Sequence, residues 1–236
     1  MKNDIICIMA LNTSMWIKKH KNAFAKMMLK NSGAVSHVTP SAIFMAGLPG
    51  AGKTEFTKNI IEASELKAVR LDMDEIAAQI DGYKPEIADK YRKGASTLLN
   101  KVFDLVLKNR LDFIMDGTFA SKYATQNIQR ALSHDYHVKI IYISQDPKRA
   151  WEFTKAREKI EHRGIAIEGF IESYFKTIEN LKNIKNKNRD KIVIDIIKKD
   201  HNNKVGQAER DVSIDDIDKI IEKMYNKERL KEYLNG

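Results

Sequence analysis

The chain has 236 residues, 43% of them hydrophobic, enough apolar surface for one α/β domain with a proper core. Lys plus Arg outnumber Asp plus Glu by 41 to 32, and the net charge of +9 favours anionic ligands without choosing among them. The single cysteine, Cys7, excludes an intramolecular disulfide, and no stretch approaches the roughly 18 apolar residues of a membrane span.

At the start, the short apolar run Ile5 to Leu11 follows Asp4 and is soon followed by lysines, a poor match to a secretory signal. A soluble cytoplasmic protein is the expectation. Residues 12–31 read as a basic amphipathic helix, with Trp16, Phe24, Met27 and Met28 against Lys18, Lys19, Lys21, Lys26 and Lys30. It is expected to pack beside the first strand; a membrane or partner contact is the alternative.

Five β-favouring runs follow: Ala42 to Ala46, Ala68 to Leu71, Leu111 to Met115, Val138 to Ile143 and Lys191 to Ile197. Helical periods lie between them. In Glu86 to Asn109, Ile87, Tyr91, Ala95, Leu98, Val102 and Val106 form one stripe; in Ala166 to Leu181, Ile167, Ile171, Tyr174, Ile178 and Leu181 form another. Near-continuous apolar strands alternating with helices imply a parallel sheet covered on both faces. Residues 213–235 read as a closing helix with Ser213 as N-cap. Lys182 to Asp190 and Lys198 to Asp211 read as solvated connections. The expectation is one domain over 1–236, with its core in 41–197.

Gly47-Leu48-Pro49-Gly50-Ala51-Gly52-Lys53-Thr54 is a full Walker A pattern between a strand and a helix. Its glycines let backbone N–H groups approach phosphate oxygens, and the following helix aims its positive end at the same point. Lys53 is expected on the β- and γ-phosphates of ATP, and Thr54 on Mg²⁺. The guanine-reading Asn-Lys-x-Asp is missing: after Asn186-Lys187 the acid stands one place late, at Asp190. Asp72-Met73-Asp74 ends the second strand, where open α/β sheets bind ligands. Asp72 is the better helix cap and Asp74 the better base for an acceptor hydroxyl. Asp116-Gly117-Thr118 ends the third strand in the Walker B manner, with Asp116 toward Mg²⁺ and Thr118 toward substrate. After the fourth strand, Asp146-Pro147 opens a helix carrying Arg157 and leading to Arg163, an arginine-bearing cover that neutralises the transferring phosphoryl and excludes water. Lys148, Arg149, Lys155 and Lys159 read as solvent-facing. The fold expected is thus a P-loop NTPase three-layer sandwich, with a mainly parallel five-stranded sheet of order 2-3-1-4-5.

Together these residues resemble the zeta toxin family of P-loop kinases, and more loosely the chloramphenicol phosphotransferase type. The resemblance covers roughly Ser41 to Leu181 and includes Gly82-Tyr83. It implies ATP-dependent phosphorylation of UDP-N-acetylglucosamine, with Asp74 as general base and Arg157 and Arg163 as phosphate-binding cover residues. It also implies an antitoxin partner that blocks the nucleotide site. Asp72, Tyr83, Asp116, Thr118 and Lys122 are the candidate substrate residues. The sequence departs from the family pattern at Asp116, where Glu is familiar, at Ala120, where an arginine often stands, and at Asn100, aligned with an acid. These departures leave the acceptor open: another nucleotide sugar, an antibiotic, a nucleoside or a polynucleotide 5′-hydroxyl are the alternatives, and a regulatory module that only binds ATP is the third reading. Nucleic acid is disfavoured because no basic-aromatic surface pattern accompanies the charge.

Overall fold

The computed structural model describes residues 2–161, 164–200, 202–220 and 225–236; of 2–12, 161, 218 and 220 only the backbone is considered. In chain order the elements are α1 (Lys2–Ser32), β1 (Ser41–Ala46), α2 (Lys53–Ala63), β2 (Val69–Asp72), α3 (Met73–Ala78), α4 (Ala88–Lys108), β3 (Phe113–Asp116), α5 (Lys122–Leu132), β4 (His137–Ser144), α6 (Pro147–Glu161), α7 (Ile167–Asn188), β5 (Ile192–Lys199), β6 (Val205–Glu209), α8 (Ile214–Ile220) and α9 (Lys227–Asn235). The sheet order is β2-β3-β1-β4-β5-β6, with the first five strands parallel and β6 antiparallel to β5.

The central strands are buried because helices flank the sheet. Phe44, Met45 and Ala46 of β1, Ile140 to Ile143 of β4, and Ile194 and Ile196 of β5 are all core residues. Phe113 of β3 meets Phe44, Phe103 and Tyr136 edge-on or tilted, with ring centroids 5.2 to 5.5 Å apart. The α4 stripe expected from its period is buried, from Tyr91 through Ala95, Leu98 and Val102 to Val106.

Four expectations need correction. First, the Lys198 to Asp211 stretch is not a plain connection. It carries the end of β5 and an added sixth strand, β6, whose exposed pattern gave no apolar signal. Second, Lys182 to Asp190 is mostly helix, because α7 continues to Asn188. Its extra turns bury Ile184, Lys185 and Asn188, and the Lys185 ammonium is satisfied by Ile192 O and Asp211 Oδ1, each at 3.1 Å. Third, the closing helix is two helices, α8 and α9. Ser213 Oγ does accept from Asp216 N, while Asn226 caps α9 through Arg229 N. Fourth, α1 packs along α4 and touches β2, rather than lying beside β1. A Cβ on Gly94 of α4 would overlap Ile17 Cδ1, so the missing side chain is what lets the two helices close.

Candidate functional site

The phosphate loop begins where β1 ends. Gly47, Gly50 and Gly52 have φ of 139°, 76° and 80°, conformations L side chains rarely adopt. Two of them are also pressed by backbone. A Cβ on Gly47 would lie 2.6 Å from Ile143 O, and one on Gly50 would overlap Ala150 O of α6. The first half of α6 therefore sits directly on the loop. Gly47 N donates to Thr118 O (3.3 Å), tying the loop to the segment after β3.

Lys53 is buried, and its ammonium donates to Gly47 O (3.0 Å) and Leu48 O (2.7 Å). Burial pushes its pKa down to about 8; Asp116 pulls the other way and the Arg157 charge adds to the depression. Arg157 is exposed on α6, yet near enough to act on Lys53. Arg163 lies outside the described residues.

Opposite the loop, β2 and β3 end in register, with Asp72 paired to Asp116. Asp72 caps α3: its Oδ1 accepts from Asp74 N (2.8 Å) and Glu75 N (3.2 Å). Arg70 holds the whole group. Its Nη2 reaches Asp72 Oδ2 (2.8 Å) and Asp116 Oδ2 (2.9 Å), and its Nη1 reaches Glu75 Oε1 (2.6 Å). Burial works against the Arg70 charge, but the Asp116 hydrogen bond and the charges of Asp72, Asp116 and Glu75 outweigh it and raise its pKa. Asp72 is nonetheless shifted. Burial, and next the Asp116 charge, push Asp72 up to about 6. Asp74 stands exposed on the first turn of α3, beside this cluster.

A divalent cation fits here. Asp116 supplies a nearly buried carboxylate beside that of Asp72, and Thr54 follows Lys53 in the first turn of α2. Among the described residues no group of three or more His, Cys, Asp or Glu is arranged to hold a metal alone. The donor set suits a magnesium ion shared with nucleotide phosphates rather than a caged structural metal.

The remaining residues singled out from the sequence make contacts of their own. Tyr83 is half-buried and packs edge-on against Tyr91, centroids 5.4 Å apart. Lys122 is exposed on the first turn of α5, over the ring of Tyr123. Asn100 is exposed on α4. Thr118 meets the loop through its carbonyl, which also accepts from Thr177 Oγ1 (2.8 Å), while its hydroxyl accepts from Ala120 N at 3.4 Å. Lys148 stands over the ring of Tyr233, Arg149 and Lys155 make ion pairs with Glu152 and Glu158, and Lys159 is exposed.

Sequence reasoning missed Arg70, although a charge inside the apolar run Ala68 to Leu71 was the available signal. It also missed Thr177 and Asn180 of α7. Asn180 Nδ2 donates to Phe119 O (2.8 Å) and holds the buried Phe119 at φ 66°, a sparsely populated conformation beside the site. No local pattern marks either residue.

With this geometry in place the comparisons are decisive. The zeta toxin family profile matches residues 25–211. The chain belongs to the zeta toxin family. This zeta toxin is therefore a P-loop kinase, an ATP-dependent phosphotransferase acting on a hydroxyl group. Among curated protein sequences none is significantly similar to it. Among solved structures it is similar to the PezAT chromosomal toxin–antitoxin system of Streptococcus pneumoniae, with 16% identity and TM-score 0.66 over 94% of this chain and 91% of that one. It is also similar to the AvrRxo1-ORF1:ORF2 complex with ATP, with 10% identity and TM-score 0.56 over 84% of this chain and 64% of that one. At these identities the likeness is one of fold. Among the described residues no helix is long and apolar enough to cross a membrane.

Proposed function

We propose that this zeta toxin transfers the γ-phosphate of magnesium-bound ATP to a hydroxyl of UDP-N-acetylglucosamine or a related nucleotide sugar. The observation that carries the reading is the pairing of Asp72 and Asp116 at adjacent strand ends, facing the cradle that holds Lys53. A hydroxyl entering beside these acids can lose its proton to Asp74 as its oxygen forms the new bond to the γ-phosphorus. The bond from that phosphorus to the β–γ bridging oxygen breaks, and ADP leaves with the electron pair. Lys53, Arg157 and Arg163 would spread the charge of the transferring group. Thr54 and Asp116 would hold the magnesium ion, which neutralises charge on the phosphates when bound.

The solved neighbours come from a toxin–antitoxin system and a two-protein complex. They support an antitoxin partner; its blocking the nucleotide site is part of this proposal. The departures at Asn100 and Ala120 bear on the acceptor. Asn100 is exposed on α4 and Ala120 N donates within its own loop, to Thr118 Oγ1, so on this reading acceptor affinity rather than nucleotide chemistry carries the change. The test follows phosphate from γ-labelled ATP into UDP-N-acetylglucosamine, other UDP-sugars, free sugars, nucleosides, an antibiotic and 5′-hydroxyl oligonucleotides. Labelling of UDP-sugars is expected. Rapid labelling of another class with UDP-sugars unmodified would replace the acceptor assignment.

A further inference from the structure

A lysine on the far side of the cradle has no part in the chemistry above. Lys199 ends β5, half-buried, and its ammonium stands over Gly52, where a Cβ would overlap Nζ and lie 3.3 Å from Cε. Gly52 is the N-cap of α2, so this cation faces the positive end of a helix. That arrangement reverses the usual preference of helix N-termini for anions. Burial lowers the Lys199 pKa, and the acid pulling it back, Glu55, is exposed. Among the described residues the Lys199 side chain makes no hydrogen bond or ion pair. A half-buried ammonium set over a helix N-terminus, with only an exposed acid acting on it, becomes favourable once an anion carrying several charges lies between the two.

The surroundings fix this position. Asp200 Oδ1 accepts from Asn202 N (2.9 Å) and Lys204 N (2.8 Å), closing the turn after Lys199. Asn203 Oδ1 accepts from Gln145 Nε2 (3.2 Å), whose own Oε1 accepts from Asp146 N (2.8 Å) at the start of α6. The β5–β6 hairpin is thereby joined to the element that presses on Gly50. Whereas Gly47 and Gly50 are confined by backbone, Gly52 is faced by a flexible side chain that can lift as a ligand enters.

The sheet order gives the direction. Asp72 and Asp116 lie on β2 and β3, on one side of β1, and Lys199 lies on β5, on the other. With the reacting γ-phosphate beside the acids, the phosphate chain runs across the loop toward β5. We propose that Lys199 is a nucleotide-binding residue that holds the α-phosphate end of the ATP chain, and that the β5–β6 hairpin forms a wall of the nucleotide site. This rests on the kinase reading.

The test measures Mg·ATP and Mg·ADP affinity of the full chain and of Lys199→Met, Lys199→Arg and Lys204→Ala. Because both nucleotides carry an α-phosphate, Lys199→Met should weaken both to the same degree, about tenfold to a hundredfold. Lys199→Arg keeps the charge and should stay within a few-fold of wild type. Lys204→Ala removes an exposed charge from the same hairpin and should change neither affinity. Ligand-free Lys199→Met should melt no lower than wild type, since the charge it removes is unfavourable there. Unchanged nucleotide affinity in Lys199→Met, a loss confined to ATP, or an equal loss in Lys204→Ala would each overturn the proposal. Wild-type protein that binds neither nucleotide would overturn the kinase reading and this proposal with it.

Discussion

The carbonyl of Ala150 occupies the space that a side chain on Gly50 would need, so α6 and the phosphate loop are one packed unit. Thr154 Oγ1, donating to Ala150 O at 2.8 Å, lies 2.6 Å from the same point. Gly50→Ala therefore faces both a positive φ and a backbone clash. It should lower stability by about 2 kcal/mol or more and abolish nucleotide binding. Gly52→Ala has the same φ penalty but meets only the end of Lys199, so its stability loss should be smaller. Denaturant midpoints of the two variants check the order; equal values would mean that α6 yields as easily as a lysine tip.

Lys53 should take up a proton when ATP binds. Its pKa of about 8 in the free chain reflects burial, and the β- and γ-phosphates would return it toward the ordinary 10.5. Between these values the complex holds more protons than the free protein, so affinity should fall as pH rises through 8 toward 10. The nucleotide's own last proton titrates lower, at about 6, and does not interfere. Calorimetry in buffers of different ionisation enthalpy at pH 8.5 should show net proton uptake that disappears in Lys53→Met. Proton release instead would mean that the ammonium is not the group answering the phosphates.

The cover should divide into a fixed and a responsive part. Residues near Ala150 and Thr154 are packed on the loop, while Arg157, one turn on, is exposed. Hydrogen exchange should show little change around 148–154 on adding Mg·ATP, and increased protection from Arg157 onward. Equal protection of the distal part with and without nucleotide would make it a static helix.

Much of this architecture was legible because the physics that makes it is local. Buried parallel strands must be apolar along their length, and the loop's glycines stand where its backbone takes positive φ. What stayed hidden depends on distant partners. β6 is exposed and owes its existence to pairing with β5, so it has no pattern of its own. The last turns of α7 look polar, yet Lys185 and Asn188 are buried because β5 and α5 supply Ile192 O and Gln129. Arg70 shows its role only when β2 and β3 bring Asp72 and Asp116 together. Lys199 comes to stand over Gly52 only when the sheet carries β5 to the loop.

Asp74 should matter to chemistry more than to nucleotide affinity. Asp74→Asn preserves size and the α3 first turn but removes the base, so kcat should fall by about two to four orders of magnitude with ATP binding little changed. Loss of transfer in Asp72→Asn with retention in Asp74→Asn would reverse the two roles.

Asp72 is predicted to weaken the ligand-free fold as pH rises. Its pKa stands at about 6 against an ordinary 3.8, first through burial and then through Asp116, so the native state holds its proton where the unfolded chain has released it. Native protein then binds more protons than unfolded protein between these values, and the contribution of Asp72 to stability falls across that window. Asp72→Asn removes the titration while an amide oxygen still accepts from Asp74 N and Glu75 N at the head of α3. Arg70 keeps Asp116 and Glu75 as partners. Relative to wild type, Asp72→Asn should therefore gain on the order of 2 kcal/mol between pH 4 and pH 8, measured by urea unfolding without nucleotide or magnesium. A variant that instead loses ground as pH rises would show that Arg70 stabilises the Asp72 anion more than burial opposes it.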